Sequence, residues 1–416
     1  MAQTPLFPLS AFILPPPPQA ASELELEKKL EITHVATAGS SLPLKSHHDA
    51  LTRYTAHKAA GHRGYAELQR EVDETRELAA RAWGVHRDDI GFVSSVAEGV
   101  SILVEALAWR EGDTVYVDRD EFPSVVAPFV VKGQRAGNGG GVVPKVVYGA
   151  RAFEGENDSD GDGGAAVEEE LEKKVDSHTR LIAVSYVSYL NGARVDLAAY
   201  RRAADRVGAI LVIDYTQAAG YMPIDAGVAD FAFSASFKFL LGTTGAAVAF
   251  WNKSRQPLWK PATAGSYSLG NVVPDWEGEE QIKTRDTALC FSRGNPAHLS
   301  IYLLREGLEF LSRWEAREIE EHVQVLATEL WTRLDNEGIR PSTPREKSRR
   351  GANITVHCKG ATEIANRMSE VGILAWNGYG RVRFTFHGHN SMKDVNRVME
   401  VFPALWKEWN NNSAAE

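Results

Sequence analysis

Strands that alternate with helices between residues 90 and 251 constrain the fold more than any other feature of this sequence. Such alternation builds parallel sheets with helices on both faces, and uninterrupted apolar runs are typical of strands buried on both sides. The strand candidates are GFVSS (91–95), DTVYVD (113–118), RLIAVSYVS (180–188), AILVID (209–214), DFAFSAS (230–236) and AAVAFW (246–251), with helices at 96–109 and 196–208. The pattern predicts an α/β fold with a mostly parallel, doubly wound sheet.

The pattern changes near residue 295, where long helices take over and only a few strands remain. Helices are predicted over 298–314, 319–335, 362–372 and 392–409, and strands over 352–358 and 381–386. A chain of 416 residues is also longer than one hydrophobic core usually serves. We therefore expect an N-terminal arm over residues 1–33, a large domain over 34–290 and a small α+β domain over 291–412.

Charge and cysteine content exclude several classes of function. The net charge of −9 argues against a nucleic-acid partner, which needs a basic face. The apolar start of the chain has no basic segment and runs into four prolines, so it resembles an arm rather than a secretion signal, and no stretch approaches the about 20 apolar residues of a membrane helix. The two cysteines, Cys290 and Cys358, form no CxxC pair, so neither a disulfide framework nor a metal site is expected. These features predict a cytoplasmic protein without a nucleic-acid or membrane partner.

Asp214 ends a predicted buried strand, and Gln217 follows three residues later. In open α/β sheets, ligands bind beyond the carboxyl ends of the strands, so a carboxylate there can meet the cation of a ligand. The same two residues also fit a turn or helix cap with its capping-box partner. Sequence alone leaves both interpretations open.

Lys238 stands between Phe237 and Phe239 in a largely apolar run, SFKFLLG. Burial lowers the pKa of a lysine, and an amine that forms an imine needs this. A lysine that extends its charged end to solvent from a strand edge is the alternative. Asp214 strengthens the first interpretation, because pyridoxal phosphate (PLP) needs both a lysine that forms a Schiff base and an acid beside its ring nitrogen.

The segment 212–251, VIDYTQAAGYMPIDAGVADFAFSASFKFLLGTTGAAVAFW, resembles the cofactor segment of the class V aminotransferases, the cysteine desulfurase-like enzymes of PLP-dependent fold type I. That family has Asp-x-x-Gln, then Asp-Phe, then Ser-x-His-Lys followed by leucine, glycine and threonine. The resemblance extends over most of the chain. It implies that Asp214 binds the pyridine nitrogen of PLP, that Gln217 binds its phenolic oxygen and that Lys238 carries its aldehyde as a Schiff base.

Further site residues follow from the same resemblance. Residues 90–124 are similar to the family's phosphate loop and stacking motif, and VRFTFHGHN (382–390) is similar to its Arg-x-Ser-x-x-x-Tyr-Asn segment. Arg383 is then expected to bind the carboxylate of an amino-acid substrate, although a surface ion pair is the alternative. The other implied contacts are phosphate binding by Ser95, Val96, Ala97 and Ser236, stacking by Phe122, a substrate contact by Tyr189, and Asn295 reaching the phosphate of the second subunit in a homodimer.

Several residues depart from the family pattern, and the changes remove hydroxyl and imidazole groups near the cofactor. They are Ala97 for threonine, Phe122 for the stacking histidine, Tyr189 for asparagine, Ala235 for serine, Phe237 for histidine and Asn295 for threonine. A cysteine desulfurase also needs a nucleophilic thiolate on a mobile loop, whereas a free cysteine in an apolar strand such as NITVHC is typically a small buried hydrophobic residue.

These features predict a PLP-dependent enzyme that acts on an amino acid. A lyase reaction that breaks or forms a C–S or C–C bond in the substrate side chain is the first hypothesis, and the altered pocket suggests specialised (secondary) metabolism. A class V aminotransferase or epimerase is the alternative, and a non-catalytic relative of the same fold is the second.

Overall fold

A computed structural model describes residues 4–16, 32–134, 144–149, 163–271 and 282–411 of the chain. Within them the backbone forms two β-sheets, one of seven strands and one of four, with helices packed against both. The two glycine-rich stretches of the sequence, 133–141 and 155–164, predict surface loops, and most of both lies outside the described residues, as does the charged segment 22–31.

The seven-stranded sheet has the strand order β2-β8-β7-β6-β5-β3-β4. Strands β4, β3, β5, β6 and β7 run parallel to one another, and β8 pairs antiparallel with both β7 and β2. The strands are β2 (Ile90–Val93), β3 (Thr114–Val117), β4 (Lys145–Tyr148), β5 (Thr179–Ser185), β6 (Ile210–Asp214), β7 (Phe231–Ala235) and β8 (Ala247–Trp251). The predicted fold, mostly parallel and doubly wound, is confirmed.

Burial explains the central strands, because all five residues of β6, β7 and β8 are buried. The helices that accompany this sheet are α1 (His47–Ala59), α2 (His62–Trp83), α3 (Val96–Ala106), α4 (Pro123–Gln134), α5 (Gly163–Lys174) and α6 (Leu197–Val207). Helix α6 illustrates the local signals: Asp196 caps its first turn, and Gly208 ends it in the left-handed conformation.

The four-stranded sheet has the order β1-β10-β11-β9 and contains β1 (Thr33–Val35), β9 (Asn353–His357), β10 (Ile373–Gly378) and β11 (Arg381–Thr385). The remaining helices are α7 (His298–Leu311), α8 (Ala316–Asn336), α9 (Ala361–Glu370) and α10 (Met392–Asn411). Strand alternation gives the sheet two different faces. Phe384 packs on Phe402 of α10, whereas its neighbour Arg383 reaches the carbonyl of Tyr189 beside the larger sheet.

Strand β1 comes from the start of the chain yet pairs in parallel with β10 in the C-terminal sheet. The preceding arm also packs on the protein: Phe7 is fully buried, its ring centroid lies 5.0 Å from that of His387, and its amide donates to the Gly388 carbonyl at 2.7 Å. The boundaries predicted at residues 33 and 290 stay predictions. None of the described helices is long and apolar enough to cross a membrane.

Candidate cofactor site

Lys238 lies in a tight turn after β7, and the backbone carbonyls on both sides of it are held from distant parts of the chain. The Phe237 carbonyl accepts hydrogen bonds from the amide and hydroxyl of Ser41, at 3.1 and 3.3 Å. The Phe239 carbonyl lies 3.0 Å from Nε2 of the fully buried His387. Because a carbonyl can only accept, His387 must donate from Nε2. The turn therefore presents Lys238 in a fixed orientation.

The Lys238 side chain is only 8% exposed and has aromatic neighbours. Its Nζ lies 5.5 Å from the ring centroids of both Phe122 and Phe237, and within the described residues it makes no hydrogen bond or ion pair. Burial, together with a smaller effect of Arg383, lowers the pKa of Lys238 to about 8, although Asp214 acts in the opposite direction. Neutral amine is therefore available close to physiological pH.

Asp214 ends β6, and its carboxyl group is buried at 6% exposure. Burial raises the pKa of Asp214, while hydrogen bonds from Thr216 and the charge of Lys238 act in the opposite direction. Its Oδ1 accepts from the Thr216 amide at 2.8 Å, and the Thr216 hydroxyl accepts from the Ala235 amide at 2.9 Å. Thr216, which the sequence did not single out, thus ties the aspartate to the strand that leads to Lys238.

Gln217 is buried beside the loop that follows β1. Its Nε2 donates to the Ala38 carbonyl at 3.1 Å, whereas its Oε1 is buried without a hydrogen-bond partner among the described residues. An unpaired buried polar atom is costly, and such atoms are typically satisfied by a ligand or water. Gln217 and Asp214 therefore suit a polar ligand at the end of β6.

Phe122 lies over the lysine, and a buried carboxyl group holds it there. The Glu121 carboxylate accepts from the Phe122 amide at 2.7 Å, from the Ser185 amide at 2.5 Å and from the Ser185 hydroxyl. Burial raises the pKa of Glu121 to about 8. Sequence reasoning missed Glu121, because its partner Ser185 is 64 positions away.

Arg383 is 2% exposed and stacks on Trp376, with Cζ 4.3 Å from the ring centroid. One of its amino groups donates to the Tyr189 carbonyl, and its Nε is buried without a partner. Burial lowers the pKa of Arg383 to about 9, and no carboxylate pairs with it within the described residues. A buried guanidinium in this state is completed by an anionic ligand.

The residues predicted to bind phosphate lie in two different environments. Ser95 caps α3 by accepting from the Glu98 amide at 3.2 Å, and the amides of Val96 and Ala97 begin this helix, where backbone N–H groups favour anions. Ser236 is fully buried, and its hydroxyl lies 2.6 and 2.7 Å from two backbone carbonyls to which it donates. Its only proton therefore stays inside the turn, and its phosphate contact remains a prediction.

Asn295 and the two cysteines lie apart from this group. Asn295 is exposed, and the Tyr65 hydroxyl donates to it at 3.5 Å. Cys290 and Cys358 are buried, and burial raises the pKa of each thiol to about 12. Neither thiol is prepared to act as a nucleophile.

Comparison with known proteins shows the family. The sequence pattern described as "Aminotransferase class-V" matches residues 35–398. The chain belongs to the class V aminotransferase family. A class V match over this length covers both sheets, with Lys238, Asp214 and Arg383 inside the matched region.

Two of the related class V proteins are described as probable cysteine desulfurases. The protein from Aeropyrum pernix is 25% identical over 92% of this chain and 95% of its own length. The protein from Methanothermobacter thermautotrophicus is 27% identical, but the match spans 63% of this chain and 60% of that protein.

The cystine C–S lyase C-DES, solved with its product cysteine persulfide, superposes with a TM-score of 0.77 at 17% identity, over 90% of this chain and 97% of its own. Another structure of C-DES contains glycine covalently linked to the PLP cofactor. Class V aminotransferases use PLP, and this chain is a PLP-dependent enzyme of fold type I. The lysine with a lowered pKa, the buried Asp214 and the unpaired Gln217 oxygen fit this cofactor.

Proposed function

We propose that this chain is a PLP-dependent lyase that breaks or forms a C–S or C–C bond in the side chain of an amino acid. The observation that carries the proposal is the buried Lys238 amine, with a pKa lowered to about 8 and no hydrogen-bond partner among the described residues. Such an amine can carry PLP covalently and, when released by the incoming substrate, can accept the proton from the α-carbon.

The residues around Lys238 support defined roles in this reaction. Asp214, as a carboxylate, would pair with the ring nitrogen and Gln217 would bind the phenolic oxygen, while Phe122 would cover one face of the ring. The amides of Ser95, Val96 and Ala97 would bind the phosphate. When bound, PLP withdraws electrons from the α-carbon of the substrate, so that bonds at this carbon and the next become easier to break.

Substrate binding centres on Arg383. The Arg383 guanidinium stacks on Trp376 and has an Nε without a partner among the described residues, so it suits the substrate carboxylate. Arg383 also binds the Tyr189 carbonyl, which places Tyr189 beside this carboxylate site. The Phe122 ring links Lys238 and Arg383, because it lies 5.5 Å from the Lys238 Nζ and 4.9 Å from the ring of Tyr189, whose carbonyl Arg383 binds. An amino acid held by its carboxylate would therefore present its α-carbon to the lysine.

The raised pKa of both thiols favours a lyase over a persulfide-forming desulfurase, even though relatives are described as desulfurases. C-DES, a C–S lyase by its description, shares the fold and agrees with this choice.

We also propose that the protein is a cytoplasmic homodimer in which Asn295 reaches the partner's phosphate. A further proposal, a role in specialised metabolism, rests on the altered pocket.

Incubating the holoenzyme with a panel of amino acids, including cysteine S-conjugates, tests this proposal by mass spectrometry of the released fragments. A lyase that eliminates the side-chain group releases a keto acid, ammonia and that group, whereas one that breaks the Cα–Cβ bond releases a smaller amino acid and the side-chain fragment. The variant Cys290→Ala/Cys358→Ala should retain this activity. Stoichiometric pyridoxamine phosphate that a keto acid converts back would instead identify an aminotransferase, and racemisation alone an epimerase.

A further inference from the structure

The turn that joins β10 to β11 holds an exposed aromatic residue in an unfavourable backbone conformation. The turn consists of Tyr379 and Gly380, and both have positive φ values, 53° and 69°. Two-residue turns of this kind favour asparagine or glycine, because the left-handed conformation is strained for other residues. Tyr379 is also 66% exposed. The tyrosine therefore gains little from burial in this chain that could offset the strain.

Tyr379 belongs to a row of aromatic rings that starts with Phe122, beside Lys238. The Phe122 ring lies 4.9 Å from that of Tyr189, and the Tyr189 ring lies 6.2 Å from that of Tyr379. The Trp376 ring, 6.4 Å from Tyr379, closes the row beside Arg383. These four residues form a continuous aromatic surface, here called the aromatic wall, which leads from the lysine to solvent.

Glycines fix the position of Trp376 in this wall. A Cβ atom at Gly378 would lie 2.5 Å from the Trp376 ring, and one at Gly39 would lie 3.2 Å from it. The ring therefore lies against both segments: a side chain at Gly378 would collide with it, and one at Gly39 would require a shift of a few tenths of an ångström. Trp376 is held as a rigid base for both Arg383 and the turn that carries Tyr379.

The charges around the wall nearly balance. Two arginines lie beside it, because Arg381 donates to the Tyr379 carbonyl and Arg383 stacks on Trp376. On the other side, Asp120 and Glu121 act to raise the pKa of Tyr189, after the larger effects of burial and Tyr379. With charges of both signs on its two sides, the wall favours neither a cationic nor an anionic side chain. Its aromatic rings instead suit a neutral, flat group, because aromatic rings pair favourably with one another edge-to-face or offset.

We propose that the aromatic wall selects amino-acid substrates whose side chain carries a neutral ring, and that Tyr379 is the main specificity-determining residue. This inference rests on the proposed function only in placing the substrate carboxylate at Arg383. The ring would lie on Tyr189 and Tyr379, beyond the bond that the lyase breaks. For S-benzyl-L-cysteine and water, the Cα–H and Cβ–S bonds break, Lys238 accepts the α-proton, and the products are phenylmethanethiol, pyruvate and ammonia.

Ligand binding to the holoenzyme tests the wall separately from the reaction. The probes are L-homophenylalanine and L-2-aminobutyrate, which differ only by the phenyl ring and have no leaving group. Dissociation constants come from the change in the visible absorption of PLP. We expect the native protein to bind L-homophenylalanine at least tenfold more tightly than L-2-aminobutyrate, and Tyr379→Gly to show a preference below threefold. The control is Tyr148→Ser, which removes a tyrosine that is 41% exposed outside the wall and should leave the preference unchanged.

Glycine is compatible with the turn, so Tyr379→Gly should fold, and unchanged PLP absorption verifies this. Equal binding of both probes to the native protein would overturn the proposal, and so would a preference that survives in Tyr379→Gly. Failure to cleave S-benzyl-L-cysteine while the binding preference holds would count against the lyase reaction and leave the specificity of the wall in place.

Discussion

Burial controls the chemistry of single residues in this site. Lys238, Asp214 and Arg383 all have pKa values shifted toward their uncharged forms, and desolvation is the largest cause in each case. A ligand with a cationic ring nitrogen and an anionic carboxylate would restore the charged forms of Asp214 and Arg383. The site therefore has a charge pattern complementary to PLP with a bound amino acid.

The lowered pKa of Lys238 predicts how the apoprotein captures PLP. Only the neutral amine attacks the aldehyde, so the rate should rise with pH through about 8, the pKa of Lys238, and level off above it. Stopped-flow absorbance across pH 6–10 measures this rate. A midpoint near the ordinary lysine value would show that Lys238 is not desolvated as described.

Replacing Arg383 with glutamine should weaken substrate binding. Hydrogen bonds to charged groups contribute about 1.5–3 kcal/mol, so KM should rise by about 10- to 100-fold. Because Arg383 lowers the pKa of Lys238, the midpoint of PLP capture should move upward in the same variant. An unchanged KM would remove Arg383 from the carboxylate site.

Candidate residues that stand together in one local pattern could be identified from the sequence, whereas residues that contact them across the fold could not. Asp214 and Lys238 stand in one segment with a recognisable pattern. Ser41 reaches the lysine turn from 196 positions away, and Glu121 bonds a serine 64 positions away. No local pattern reports such contacts, because they arise only when the sheets pack.

At the scale of elements, strands buried on both faces were predicted well and exposed or short ones were not. Strands β5, β6 and β7 match their apolar runs within a few residues. Strand β4 lies at the sheet edge with no buried residue, and the three residues of β1 are too few to show a period. The antiparallel direction of β8 depends on chain connection, which apolar runs do not encode.

The segment after β11 fixes the lysine turn, and His387→Phe tests this. Removing its donor leaves the buried Phe239 carbonyl unsatisfied, at a cost of about 1–3 kcal/mol. We expect PLP affinity and kcat to fall by about tenfold, with recovery in His387→Gln, which can donate. His389→Phe is the matched control, because His389 is equally buried but bonds the His34 carbonyl instead. Equal losses in both phenylalanine variants would indicate general destabilisation.

At the scale of the molecule, the two sheets meet at the candidate cofactor site, since Arg383 comes from one and Lys238 from the turn after a strand of the other. The chain contributes its first strand to the C-terminal sheet, so the halves are connected through both ends of the sequence.

The proposed homodimer predicts that Asn295 acts across subunits. Sedimentation should show a dimer, and Asn295→Asp, which places a negative charge beside the partner's phosphate, should lower PLP affinity by about tenfold without breaking the dimer. A fully active monomer would contradict this arrangement.

Covalent trapping of the cofactor tests whether Lys238 carries PLP. Reduction of the PLP-loaded protein with borohydride, followed by peptide mass spectrometry, locates the lysine that carries PLP. We expect one pyridoxyl group per chain, on Lys238, and none in Lys238→Ala. A label on another lysine, or no label on the native protein, would contradict it.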